Sequence, residues 1–119
     1  MKYYSATLLL LLAGSALADE LSQRGNAIYV KTDVTSEEST QAMAQAALDA
    51  YGRIDAIVNN AGLFTAKPWD ELSLADWKER FAVNVDGTFL ATRAVVPAMT
   101  EQGGGKVINI GSDTVWMGT

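Results

Sequence analysis

The chain has 119 residues, 49% of them apolar and 19% charged, with nine Lys and Arg against fourteen Asp and Glu for a net charge of −5. This is the composition of one globular domain or part of one, and it excludes a disordered tail. There is no Cys and no His, which excludes disulfide scaffolds, thiolate metal sites, cysteine nucleophiles and every imidazole-dependent triad. No basic run tracks phosphates, so no nucleic-acid partner is expected, and no metal, since carboxylates alone rarely hold zinc.

Lys2 precedes an apolar stretch, Leu8 to Ala13, and Ala16-Leu17-Ala18 follow before Asp19. A positive start, a short apolar run and an Ala-x-Ala ending are the layout of an export signal. Residues 1–18 read either as such a signal or as a misassigned start, with the domain proper over 19–119. The run is too short to cross a bilayer as a helix, and no membrane partner is expected. Ala16 to Gly25 also read as the end of an amphipathic helix, with Leu17 and Leu21 four apart and Gly25 as its stop.

Asn26 to Val34 is a strand candidate, rich in β-branched residues. Thr35-Ser36-Glu37-Glu38 reads as a capping box that opens a helix to about Tyr51, stopped by Gly52. Ile54 to Asn59 is an apolar run too short for a helix, hence a buried parallel strand. Asn59-Asn60-Ala61-Gly62 forms a turn at its carboxyl end. After a loop with Pro68, Ser73-Leu74-Ala75-Asp76 caps a long helix. Trp77, Phe81, Val85, Phe89 and Thr92 mark one face of it, and Gly87 and Pro97 are its weak points. Gly103-Gly104-Gly105 ends it. Lys106 to Ile110 is a further strand, followed by Gly111 and Ser112. Strands alternating with helices of these lengths predict an α/β fold with a parallel sheet and right-handed crossovers.

Ligands of an open parallel sheet bind outside the carboxyl ends of its strands. That rule selects Asp33-Val34, Asn59 to Gly62, and Gly111-Ser112. Asp33 offers an acceptor to a base or sugar, or is a solvated residue or secondary cap. In Asn59 to Gly62, Gly and Ala let a flat cofactor approach the backbone while the amides fix neighbouring strands; an ordinary turn has the same composition. Asn84 sits between Val83 and Val85, a poor mid-helix residue that either holds a water or faces solvent. With no His, Ser112 is limited to hydrogen bonding, as a site residue or as a cap. Trp116 and Met117 wall an apolar pocket or merely pack.

Taken together, Asp33-Val34, Asn59-Asn60-Ala61-Gly62, Asn84 within Val83-Asn84-Val85-Asp86-Gly87, and Val107 to Ser112 resemble the short-chain dehydrogenase/reductase family in order and spacing. The similarity covers roughly residues 17–119. It implies a Rossmann-like doubly wound parallel sheet, here incomplete, with the family's strands three to five and their helices. It implies hydride transfer between NAD or NADP and a small alcohol or carbonyl substrate. Asp33 would sit by the adenine amino group with the Val34 backbone nearby. Asn60, Ala61 and Gly62 would line the adenosine side, Asn84 would hold a water of the proton relay, and Ser112 would hydrogen-bond the substrate oxygen. Ser112 to Trp116 resemble members acting on secondary alcohols or ketones, and Gly111-Ser112 also resemble ketoacyl reductases. The helix bearing Trp77, Phe81 and Phe89 resembles one used in dimer interfaces, which implies a homo-oligomer for the full-length protein; plain packing of that face against the sheet is the alternative. The resemblance also implies a cytoplasmic protein.

The departures carry equal weight. The family's T-G-x-x-x-G-x-G turn does not precede Asp33, and no Tyr-x-x-x-Lys follows Ser112. That Tyr is the family's general acid/base, and the Lys lowers its pKa. The family's third strand pairs with the second, which has no counterpart here, so 26–34 is expected to lose its neighbour. The expectation is therefore an oxidoreductase fragment, poorly stable and inactive as the isolated chain. The alternative is a non-catalytic exported or degenerate Rossmann-like binding module.

Overall fold

A computed structural model of the chain describes residues 8–10, 20, 21, 23, 25, 27–64 and 66–113. The signal-like run outside 8–10, the helical reading of 16–19, and Trp116 and Met117 lie outside the described residues. Where the sequence puts a helical stop, the Gly25 N–H donates to the Leu21 carbonyl at 3.0 Å.

Three short strands form one parallel sheet in the order β1-β2-β3: β1 is Leu8–Leu10, β2 Ala56–Asn59 and β3 Lys106–Asn109. Leu9 pairs in register with Ile57, and Asn59 with Asn109. The β2–β3 ladder continues one step further, since Ile110 N–H donates to the Asn59 carbonyl at 3.0 Å. The α/β, parallel, Rossmann-like reading thus holds, but the membership of the sheet differs. Residues 27–34 make no ladder. No described strand lies beside them, and Val30 and Val34 instead pack on the core. The leucine run supplies the strand next to β2.

Helix α1, Glu37–Tyr51, starts one residue later than the sequence suggested. Ser36 is the N-cap and accepts from Ser39 N–H, and Gly52 ends the helix at φ 73°, a left-handed conformation that costs glycine little. The long second helix is three elements. Helix α2, Leu74–Phe81, opens on a complete Ser73/Asp76 capping box. A π turn, Ala82–Asp86, is closed by Gly87 N–H on the Ala82 carbonyl. Helix α3, Gly87–Glu101, continues through the exposed Pro97. Helices α1 and α3 pack together, and α3 also lies on β2. Met43, Ala44 and Ala47 of α1, Ile54 and Ile57, and Ala91, Val95 and Met99 of α3 form the core. A fully buried side chain such as Ile57 or Val95 stabilises the fold by about 1.5–3 kcal/mol. All four β3 residues are exposed.

Candidate functional site at the carboxyl edge of the sheet

Asn59 ends β2 and is only 5% exposed. Its Nδ2 donates to Asn109 Oδ1 at 2.8 Å and to Thr92 Oγ1 at 3.0 Å. One amide therefore ties the ends of β2 and β3 to helix α3. The tie sets two segments at one edge: Asn60 to Gly62, which follow Asn59, and Ser112, three residues beyond Asn109. Asn59 Oδ1 is buried without a partner, a cost that proteins rarely leave in place. The sequence already suggested that these amides fix neighbouring strands. The sequence placed Thr92 only as one marker of a helix face; its bond to Asn59 was not foreseen, because a mid-helix Thr does not name its strand partner.

Asn84 lies inside the π turn and reaches across to the same edge. Its Oδ1 accepts from Leu63 N–H at 2.7 Å, and its Nδ2 donates to the Leu63 carbonyl at 3.1 Å. The side chain thus completes both backbone groups of the residue after Gly62, as a neighbouring strand would. π turns carry an extra residue within a helix and recur at functional sites. Here the turn coincides with the residue that grips the loop. A Cβ on Gly62 would stand 3.6 Å from Asn84 Oδ1, ordinary contact. Asn60 and Gly62 are exposed and Ala61 half-buried.

Asp33 belongs to a separate turn. Its Oδ1 accepts from Thr35 Oγ1 at 2.7 Å and from Thr35 N–H at 2.9 Å, while its own N–H donates to Ser39 Oγ at 2.8 Å. The Thr35 hydroxyl, then the Thr35 N–H, hold its carboxyl below the usual range, outweighing slight desolvation. Asp33 is thus an exposed anion fixed at the mouth of α1. Its side-chain hydrogen bonds run to Thr35 and its N–H to Ser39 Oγ, within its own turn and not to 60–62. Val34 is linked to the π turn by packing: a Cβ on Gly87 would fall 2.8 Å from Val34 Cγ2. Only glycine admits that approach, which brings the Asp33-Val34 segment beside the start of α3. Among the described residues there is no cluster of acidic or metal-ligating groups that could hold a metal, and no helix is long and apolar enough to cross a membrane.

A short chain dehydrogenase family model matches residues 9–119. The chain belongs to that family. Among its relatives, D-threitol dehydrogenase of Mycolicibacterium smegmatis is 44% identical over 98 residues, covering 82% of this chain and 38% of that protein. A (2S)-[(R)-hydroxy(phenyl)methyl]succinyl-CoA dehydrogenase subunit of Thauera aromatica is 40% identical over 104 residues, 87% of this chain and 42% of that one. A solved 7α-hydroxysteroid dehydrogenase, complexed with NADH and 7-oxo glycochenodeoxycholic acid, superposes with a TM-score of 0.80 at 30% identity, covering 93% of this chain and 45% of that one. This short-chain dehydrogenase chain therefore spans about two-fifths of the length of the curated relatives it matches.

Proposed function

We propose that this chain is the stretch of an NAD(P)-dependent oxidoreductase that binds the adenosine half of the cofactor and supplies two residues near the reacting groups. The observation that carries the reading is the convergence at one sheet edge. The Asn59–Asn109 amide pair ties the ends of two strands, and Asn84 grips the loop that follows Gly62. The solved relative bound to NADH supports the cofactor class.

The residues present fit an adenosine group. Asp33 is an exposed carboxylate whose Oδ1 is anchored by Thr35, an acceptor suited to an exocyclic amine. Val34 brings backbone beside it. Asn60, Ala61 and Gly62 offer an edge with small side chains at two of three positions. The side-chain amide of Asn84 is committed to Leu63 and its main-chain carbonyl accepts from Thr88 Oγ1 at 3.1 Å, so a water of the proton relay is held at that carbonyl's remaining lone pair. Ser112 donates a hydrogen bond to the substrate oxygen, a small alcohol or carbonyl, as charge develops there. The bound nicotinamide supplies hydride chemistry. The proton partner is what the chain lacks: its sequence holds neither a Tyr-x-x-x-Lys nor the Gly-rich phosphate turn. The chain, with Leu8–Leu10 as a strand of its sheet, thus acts as a partial domain that is inactive alone and works inside the cell, where these cofactors are found.

The exposed Trp77, Phe81, Val85 and Phe89 recur every fourth residue from α2 through α3. A stripe of that kind supports homo-oligomer formation by the full-length protein. The functional reading is tested by titrating the chain with NADH while following cofactor fluorescence and absorbance. Saturable binding that weakens in Asp33→Ala, with no NADH consumed in the presence of ketones, is expected. Absence of binding, or turnover by this chain alone, refutes the reading.

A further inference from the structure

Helix α3 runs antiparallel to β2, and amide side chains tie the two together at both ends. At the amino end of β2, Gln102 Oε1 accepts from Ile54 N–H at 3.2 Å, and Gln102 Nε2 donates to the Ile54 carbonyl at 2.6 Å and to the Gly104 carbonyl at 3.1 Å. One side chain thus meets both backbone groups of Ile54, a fully buried residue. The next rung is main chain, since Lys106 N–H donates to the Asp55 carbonyl at 2.9 Å. Gln102 therefore stands where one more residue of β3 would. Asn84 meets Leu63 in the same way beyond the other end of β2.

Between these two amides, Asn59 meets Thr92 at 3.0 Å. Gln102 lies ten residues after Thr92, and Asn59 five after Ile54. At about 1.5 Å per helical residue and about 3.3 Å per strand residue, those spans are roughly 15 Å and roughly 16.5 Å. The ties are commensurate, so all of them close at one position of the helix along the strand. Apolar packing does not choose that position. It is non-directional, Ala44, Ala47 and Ala91 offer little relief, and Met99 adapts its shape. A slide by one helical residue, about 1.5 Å, would misalign the Asn59–Thr92 bond and carry Asn84 away from Leu63. We propose that Gln102 is a positioning residue for the carboxyl edge of the sheet. From the far end of β2 it fixes how far α3 lies along the strand, and so aims Asn84 at the loop that carries Asn60 to Gly62. That this edge takes a cofactor rests on the function proposed above; the seating of the helix does not.

Amide exchange in the full chain reads that seating at a distance from Gln102 itself. Gln102→Met keeps the length of the side chain without its amide. Gln102→Glu keeps an acceptor for Ile54 N–H and removes the donor to the two carbonyls. In each variant Leu63 N–H is expected to exchange about threefold faster or more, while Met43 and Ala47 of α1 stay within about twofold of wild type. In an Asn84→Ala background, Gln102→Met is expected to add less than about 1.5-fold at Leu63, because its effect there runs through Asn84. NADH affinity of both variants is expected to fall by a similar factor. Faster exchange at Leu63 in either variant, absent in the Asn84→Ala background, supports the positioning role. Exchange altered at Ile54 alone, an equal rise through Met43 and Ala47 in both variants, or full additivity with Asn84→Ala overturns it. Where the wild type binds NADH, unchanged affinity in both variants overturns it as well. A wild-type chain that binds no NADH contradicts the cofactor reading instead, and the exchange result then decides the part of Gln102 by itself.

Discussion

Replacing Asn84 by Ala isolates the contact that holds the candidate cofactor loop. The substitution removes the bonds to Leu63 N–H and to its carbonyl, at 2.7 and 3.1 Å. Each hydrogen bond is worth about 1 kcal/mol net. Alanine returns roughly 0.6 kcal/mol or less of helix propensity, and less than in a regular helix because the site is a π turn. The balance is a local loss of roughly 1.5 kcal/mol, which corresponds to roughly tenfold in an opening equilibrium. Amide exchange measures it directly. Leu63 N–H is expected to exchange roughly tenfold faster in Asn84→Ala, while Ile57 in the core is expected to change less than about twofold. NADH affinity should fall in parallel, because the released loop carries Asn60 to Gly62. Unchanged exchange at Leu63, or a uniform rise through the core, would show that the Asn84 amide does not hold this loop.

Gly87→Ala sets a Cβ 2.8 Å from Val34 Cγ2. Overpacking of about 1–3 kcal/mol outweighs a helix-propensity gain of about 1 kcal/mol; Val34→Ala should recover part of the loss, giving a favourable coupling in a urea-unfolding double-mutant cycle. Ser73→Ala deletes a cap whose hydroxyl accepts from Asp76 N–H at 3.1 Å, and helical circular dichroism should report a loss of about 1 kcal/mol. Lys67, then the Ser73 hydroxyl and N–H, hold the Asp76 carboxyl far below its ordinary value of 3.8. A depressed folded-state pKa adds stability that is complete above the ordinary value and is lost as pH falls below it. Carbon-detected titration should therefore leave Asp76 ionised where exposed carboxylates have protonated, and Lys67→Met should move its midpoint up. Asn59→Asp turns a second carboxylate oxygen toward Asn109 Oδ1; faster exchange of Ile110 N–H is expected, and an unaltered rate counts against the tie.

Much of this architecture was legible because it rests on local rules. Gly52, Ser73 with Asp76, and the short Ile54 to Asn59 run each state their structure through conformational freedom, capping or length. What stayed hidden depends on distant partners. Asn26 to Val34 has strand composition, yet a strand needs a neighbour, and none of the described strands lies beside it. The leucine run shows the converse: its composition suits a signal, and only the β2 edge makes it a strand. The break in the long helix was expected at Gly87 or Pro97. It falls instead at Ala82–Asp86, because Asn84 is drawn to Leu63, and Gly87 closes that turn while making room for Val34. Of the candidate site residues, Asn84 and Asn60 to Gly62 come together through that contact. Asp33 was readable as an acceptor, but its anchoring by Thr35 was not.

A backbone-amide NMR map of NADH binding to the 119-residue chain shows directly whether the Asp33 and Asn60–Gly62 segments form one cofactor edge. Shifts concentrated at Asp33, Val34 and Asn60 to Gly62, saturating with NADH and weakened in Asp33→Ala, are expected. Shifts confined to the outer stripe at Trp77 to Phe89, or no shifts at saturating NADH, would contradict it.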